Sequence, residues 1–309
     1  MRVGSIDCGT NAIRLLIADV PADGPLVDVV REMRIVRLGE GVDRTGEFSN
    51  EALARTFAAV DEYADLLRQY PVQALRFVAT SASRDVRNRA AFVDGVRSRL
   101  GVEPEVIAGA EEAELSFLGA LRGLPAHLVR PPALVVDIGG GSTEFVLGHA
   151  HPEHRVSVNI GCVRMTERHL QSDPPTDAEI EAVEADIAAA IAVARGTVPL
   201  DEAGTLIGVA GTVTTVAAMA LGLDRYDPAV LHGSVTSLAE VEEVTATLLA
   251  MTREQRAALP FMHPGRVDVI GGGAMVLRAI MRNAGAPSVV ASETDILDGI
   301  GYTLAPTAS

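Results

Sequence analysis

With 309 residues, 48% of them hydrophobic and 22% charged, the chain has material for two domains with real cores and is not a disordered protein. A formal net charge of −15 argues against a nucleic-acid groove, although local arginines can still receive a polyanion. All 26 basic residues are arginine, which excludes a Walker-type phosphate loop, Schiff-base chemistry and a lysine general base.

Any cationic side chain that meets a phosphate must therefore be an arginine, whose planar fork suits bidentate phosphate binding. No apolar stretch approaches the roughly 18 residues needed to cross a bilayer, so no membrane partner is expected. Met1 leads almost directly into a strand-like segment with no signal peptide before Ile6, and a cytoplasmic protein is expected. Cys8 and Cys162 lie far apart without metal-ligand spacing and are expected to be buried free thiols.

Val3 to Ile6 predicts a short strand running into Asp7-Cys8-Gly9-Thr10-Asn11, and a second apolar run, Ile13 to Ala18, comes back out. Val29 to Leu38 predicts another strand, followed by a polar Gly-rich loop from Gly39 to Gly46. Asn50 to Leu67 predicts a helix, because Leu53, Phe57, Val60, Ala64 and Leu67 recur at helical spacing behind a Ser/Asn start. Leu75 to Ala79 predicts a strand that feeds Thr80-Ser81-Ala82-Ser83-Arg84. A helix from Asn88 to Leu100, a short strand from Glu105 to Ile107 and a helix opening on Gly109-Ala110-Glu111-Glu112-Ala113 follow. Pro125 to Pro132 suits an extended linker.

The second half opens on L-V-V-D-I-G-G-G-S-T-E-F-V-L, Leu134 to Leu147, a hairpin with Asp137 and Glu144 at the two mouths of its glycine turn. Arg155 to Ile160 predicts a strand, and Gly161-Cys162-Val163-Arg164 turns into a helix that Asp173-Pro174-Pro175 breaks. Asp177 to Ala194 predicts an amphipathic helix on Ile180, Val183, Ile187 and Ile191. Leu206 to Ala210 predicts a strand running into Gly211-Thr212 and a helix, and Leu238 to Leu259 is helix-rich. Val267 to Ile270 predicts a strand feeding Gly271 to Gly273, then come a strand from Ser288 to Ala291 and a final helix from Asp295. Such alternation predicts the α/β class, whose ligands gather at the carboxyl ends of strands.

Glycines without Cβ let backbone N–H groups converge on an anion, and a carboxylate beside them can hold the cation that escorts a phosphate. Taken alone, one glycine turn more often merely reverses the chain. The repetition alters that judgement: Asp7 and Asp137 stand at matching points of two hairpins, so an internal duplication is the economical reading. The two aspartates form a candidate magnesium site, direct or through water, although each taken singly would as readily hydrogen-bond its own turn amides. Glu111 and Glu112 open a helix, where the dipole favours acids in any case. Arg84 and Arg164 each follow a turn and would serve equally as surface ion-pair residues. Gly211-Thr212 is a third candidate phosphate contact or a plain helix start. A Rossmann fingerprint fails, since Gly139-x-Gly141 meets Glu144 and Gly271-x-Gly273 meets Val276. There is no G-x-S-x-G elbow, and His232 and His263 have no nucleophile beside them in sequence.

The runs D-C-G-T-N-A-I-R-L (Asp7 to Leu15) and D-I-G-G-G-S-T-E (Asp137 to Glu144) resemble the two phosphate motifs of the actin-like, sugar-kinase and heat-shock-chaperone ATPase superfamily. Five further runs resemble the exopolyphosphatase / guanosine pentaphosphate phosphohydrolase (Ppx/GppA) family within it: A-T-S-A-S-R-D from Ala79, G-A-E-E-A from Gly109, G-C-V-R-M-T-E from Gly161, G-V-A-G-T from Gly208, and the terminal S-E-T-D-I-L-D-G-I. The seven occur in order over nearly the whole chain.

The resemblance implies two actin-like (ribonuclease H-like) domains with a cleft between them, 1–125 rejoined by a C-terminal helix of about 295–309, and 126–294. It implies magnesium-dependent removal of terminal phosphate from inorganic polyphosphate. Glu112, or less readily Glu111, would be the base that activates water, with Glu144 assisting and Asp7 and Asp137 on the metal side. Thr10, Asn11, Arg84, Gly139, Gly140, Gly141, Ser142, Thr143, Gly211 and Thr212 would be phosphate contacts. The chain ends near where longer members add an HD-type helical extension, so a short-form member is expected, and the resemblance alone implies a homodimer. The competing expectations are guanosine pentaphosphate hydrolysis, a nucleotide-binding kinase-like module and a non-catalytic sensor.

Overall fold

The computed structural model describes residues 1–21 and 24–304; the tail of the expected C-terminal helix, 305–309, lies outside them. Contacts divide the chain into two compact units, Met1–Arg122 with the segment that starts at Ile296, and Gly123–Asp295. No helix among the described residues is long and apolar enough to cross a membrane.

The first unit carries strands β1 (Arg2–Cys8), β2 (Ala12–Asp19) and β3 (Val27–Ile35), a short helix α1 (Val42–Thr45) and the long α2 (Asn50–Gln69). Strand β4 (Ala74–Ala79), helices α3 (Ser81–Arg84) and α4 (Arg89–Leu100), strand β5 (Glu105–Val106) and helix α5 (Gly109–Gly123) follow. The sheet order is β3-β2-β1-β4-β5, with the first three strands antiparallel and β1, β4 and β5 parallel. Every residue of β1 from Val3 to Cys8 is buried, because helices cover both faces of a strand in this position. On one face Ile13, Leu15 and Ile17 pack with Leu53, Val60 and Tyr63 of α2. On the other, Leu16 and Ala18 meet Leu297, while Val78, Ile107 and Leu115 meet Ile296 and Ile300 of the C-terminal helix (Ile296–Leu304). Helix α2 starts where the Ser49 hydroxyl accepts the Ala52 N–H, and its Tyr63 hydroxyl donates to the Ile13 carbonyl at 2.9 Å, tying helix to strand.

The second unit repeats the plan. Strands β6 (Ala133–Ile138), β7 (Thr143–Gly148) and β8 (Pro152–Val158) lead to α6 (Cys162–His169) and α7 (Asp177–Arg195). Strand β9 (Thr205–Val209), helices α8 (Ala210–Ala220) and α9 (Pro228–Leu231), strand β10 (Val235–Ser237), and helices α10 (Leu238–Ala250), α11 (Arg253–Ala257) and α12 (Ile270–Ala284) precede β11 (Ser288–Ala291). The order is β10-β11-β9-β6-β7-β8, again an antiparallel meander beside parallel strands, with β10 added antiparallel at the edge. Leu134, Val136 and Ile138 of β6 share a core with Ile187 and Ile191 of α7 and Leu277 and Ile280 of α12.

One sequence expectation is overturned. Val267 to Ile270 is not a strand: Pro264–Arg266 forms a 3-10 turn and Ile270 begins α12. Val267 and Ile270 are buried three residues apart on one helical face, so their spacing serves a helix entry. The glycines that follow let α12 pack closely, since a Cβ at Gly272 would press on Thr166 and one at Gly273 on Thr212 and Cys162. Strand β10 had no signal strong enough to register, being three residues long.

Candidate functional site

In the second unit, register fixes the first feature. Asp137 of β6 lies directly opposite Glu144 of β7, and Glu144 lies opposite Ser157 of β8. Opposed residues of antiparallel strands project side chains from the same face, about 5 Å apart at Cβ. Both carboxylates are buried, and Glu144 accepts the Ser157 hydroxyl at 2.7 Å.

Between them, Gly139 closes the turn by donating its N–H to the Ser142 carbonyl at 3.0 Å. The remaining carbonyls are gripped from outside by the start of α6. Cys162 N–H donates to Gly139, Val163 and Arg164 N–H both donate to Gly140, and Arg164 Nε donates to Gly141 at 2.6 Å. In a trans peptide the N–H points away from the preceding C=O. Anchoring three successive carbonyls therefore turns the amides of Gly140, Gly141 and Ser142 the other way. None of these three amides donates to another group among the described residues, and together they make an anion-accepting nest. Gly161 is required for this grip, because a Cβ there would strike the backbone of Gly139 and Gly140. Thr143 is buried, and its hydroxyl donates to the Ile160 carbonyl at 2.7 Å, which braces the turn.

The first unit builds its hairpin on the same lines with one change. Opposite Asp7 stands Arg14, whose Nη2 and Nε donate to the same carboxylate oxygen at 2.6 and 3.1 Å. Gly9 N–H closes the turn on the Ala12 carbonyl. The Thr10 carbonyl accepts from Gly39, and the Asn11 carbonyl accepts from Val36 and Arg37, so the segment after β3 grips this turn as α6 grips the other. Thr10 is buried, and Gly39 packs against it so closely that a Cβ would overlap its methyl group.

At the carboxyl end of β4, Arg84 Nη1 donates to Glu112 at 2.7 Å and to the Ile107 carbonyl at 3.0 Å. Glu112, in the first turn of α5, is buried. Its neighbour Glu111 is part-exposed and pairs with Arg76, which also holds Glu105, in an ion-pair group at the surface. The two adjacent glutamates thus have separate arginines and separate environments.

Gly211 and Thr212 lie in the first turn of α8, reached through Ala210 at a φ of 69°, a left-handed conformation unusual for a residue with a side chain. The Arg266 guanidinium covers Gly211, leaving no space for a Cβ, and donates to the Thr215 hydroxyl at 3.0 Å, which itself donates to the Gly211 carbonyl. Cys8 and Cys162 are buried free thiols, and burial pushes both upward from the ordinary thiol range, so neither is an activated nucleophile. Among the described residues no three His, Cys, Asp or Glu side chains form a metal cluster. The donor sets present are smaller: the adjacent carboxylates Asp137 and Glu144, and Asp7 with one oxygen engaged by Arg14. Arg14, Ser157 and Arg266 escaped sequence reasoning as site residues, and sequence alone leaves Arg164 open between site and surface ion pair, because their partners are set by strand register and by helix packing.

Against known proteins, residues 16–308 match the family described as the Ppx/GppA phosphatase family. The chain belongs to this family. It is 51% identical to Exopolyphosphatase 2 of Mycobacterium tuberculosis, over 98% of each chain. Among solved structures, an exopolyphosphatase-like protein is 45% identical, with 98% of each chain covered and a TM-score of 0.94. An exopolyphosphatase from Cytophaga hutchinsonii is 28% identical, covering 98% of this chain and 97% of that one, with a TM-score of 0.88. Membership of a phosphatase family makes the chain a hydrolase and agrees with the α/β, two-sheet architecture of its structure.

Proposed function

We propose that the chain is an exopolyphosphatase that hydrolyses the terminal phosphate of inorganic polyphosphate. The observation that carries this reading is the nest of Gly140, Gly141 and Ser142 amides beside the paired carboxylates Asp137 and Glu144. Amides without protein acceptors suit phosphate oxygens, and neighbouring carboxylates suit a cation that accompanies them. Magnesium keeps several waters and uses one or two carboxylates plus substrate phosphates, so this small donor set fits it better than a dedicated cage would. Asp137, beside Glu144, would hold it, and it would neutralise charge developing on the transferred phosphoryl group.

In this reading Glu112 serves in the first unit as the base that activates water, and Glu144 assists in the second unit by positioning water or metal. Burial in the first turn of α5, beside Arg84, distinguishes Glu112 from the surface-paired Glu111. Arg84, Thr10 and Asn11 are the phosphate contacts of the first unit, and the nest, Gly139, Gly211 and Thr212 those of the second. Phosphoryl transfer asks little covalent chemistry of a protein beyond positioning and charge neutralisation, which these groups supply. The 51% identity to a protein named Exopolyphosphatase 2 supports the same substrate.

The test is phosphate release from medium-length polyphosphate, guanosine pentaphosphate and ATP, with magnesium and with chelator. Polyphosphate hydrolysis abolished by chelator and restored by magnesium is expected. Preferential release from guanosine pentaphosphate would replace the substrate, and turnover of ATP with inert polyphosphate would overturn the reading in favour of a kinase-like module. Sedimentation of the active protein tests the homodimer that the family resemblance suggests.

A further inference from the structure

Arg164 holds two successive carbonyls of the glycine turn: its backbone N–H donates to Gly140 at 3.0 Å and its guanidinium Nε to Gly141 at 2.6 Å. The second bond is charge-assisted and therefore of the stronger kind. Its acceptor belongs to the peptide whose N–H is that of Ser142, the last amide of the nest. A cationic donor on the carbonyl polarises that peptide, which strengthens the opposite N–H as a donor and fixes its direction. Ser142 itself is buried, so its peptide is held in place by the surrounding protein.

We propose that Arg164 is a positioning residue for phosphate, acting through the Gly141–Ser142 peptide on the Ser142 amide. This rests on the phosphate-binding reading of the turn. The guanidinium Nε meets the carbonyl side of the turn, so its charge reaches the anion through one peptide group. A lysine would keep the charge but lose the planar Nε–H that meets the carbonyl, and a glutamine would keep a donor but lose the charge.

The distinguishing measurement is how KM and kcat divide. An interaction that holds a bound phosphate equally in ground and transition states raises KM and leaves kcat alone. Arg164→Met is expected to raise KM for polyphosphate about tenfold at nearly constant kcat, with Arg164→Lys and Arg164→Gln about threefold, in line with losing a charge-assisted bond or half of it. A merely structural role would instead lower the active fraction, so apparent kcat would drop at unchanged KM and the melting temperature would fall. That pattern, or an unchanged KM in Arg164→Met, overturns the proposal. If Arg164→Met does not fold, the lysine and glutamine variants decide it by the same criterion. Calorimetric titration with inorganic triphosphate separates this proposal from the assigned reaction: a wild-type protein that binds triphosphate but does not hydrolyse polyphosphate refutes the reaction, and weaker binding in the variants would still support the role of Arg164.

Discussion

Arg14 and Glu144 occupy the same register position in the two hairpins, each directly across from the aspartate of the preceding strand. The duplicated turns are therefore chemically unlike. In the first, Asp7 is neutralised by a guanidinium 2.6 Å away; in the second, two acids lie side by side. A cation is better accommodated by the second hairpin, because in the first Arg14 already offsets the charge of Asp7. Replacing Arg14 by leucine leaves a buried aspartate without its counter-charge. The expected cost is about 2–4 kcal/mol of unfolding free energy, at the lower side of the range for broken buried pairs because Arg14 is partly exposed. Urea denaturation measures it, and the double variant Arg14→Leu with Asp7→Asn should recover much of the loss.

Glu112 and Glu111 offer a control one residue apart. Glu112→Gln keeps shape and hydrogen bonding but removes the proton acceptor, and kcat is expected to fall about 10²- to 10⁴-fold. Glu111→Gln breaks only a surface pair with Arg76 and is expected to alter kcat less than about twofold. Steady-state rates on polyphosphate with both variants check the assignment; equal losses would contradict it.

Two glycine substitutions should differ in severity. A methyl group at Gly161 would meet the Gly139 and Gly140 backbone, which cannot move without deforming the nest. One at Gly211 would meet the end of the flexible Arg266 side chain. Gly161→Ala is accordingly expected to raise KM for polyphosphate by more than about tenfold, and Gly211→Ala by a smaller factor, when each is assayed as folded protein.

Helix α7 supplies a pH-dependent signal apart from the site. Glu179 closes a capping box with Thr176, and the Thr176 backbone N–H, aided by that of Gln171, lowers its carboxyl from 4.5 to about 2 against the opposing effect of desolvation. The folded value lies below the unfolded one, so the stabilisation is complete above pH 4.5 and is lost as pH falls toward 2. The melting-temperature gap between wild type and Glu179→Ala should be constant from pH 7 to 5 and narrow progressively in more acid buffer.

Both hairpins were legible in the sequence, because short apolar runs flank a glycine turn and the pattern occurs twice. The capping residue Ser49 was legible for a similar reason: its partner lies three residues away. What escaped depends on distant neighbours. The apolar–polar alternation of Val267 to Ile270 is that of a strand, and only the core against which it packs makes it a helix entry. The turn of Gly139 to Ser142 reads as glycine-rich, but the direction of its amides is decided by Cys162 to Arg164, which follow a whole strand later. Likewise Asp7 looks like a lone carboxylate until the register of β1 and β2 brings Arg14 opposite it. Which of Glu111 and Glu112 turns inward is settled by the face of α5 that meets Arg84.

The C-terminal helix belongs to the first unit although the whole second unit intervenes, and Ile296, Leu297 and Ile300 fill the apolar face of the first sheet. Synthesis therefore imposes an order. Gly123–Asp295 is continuous and can complete its own core while still tethered to the ribosome, whereas the earlier-made sheet stays uncovered on one side until Ile296 to Ile300 have emerged. A stop codon placed just before Ile296 would spare the later unit and strand the earlier one, exposing Leu16, Val78 and Leu115 to aggregation and proteolysis.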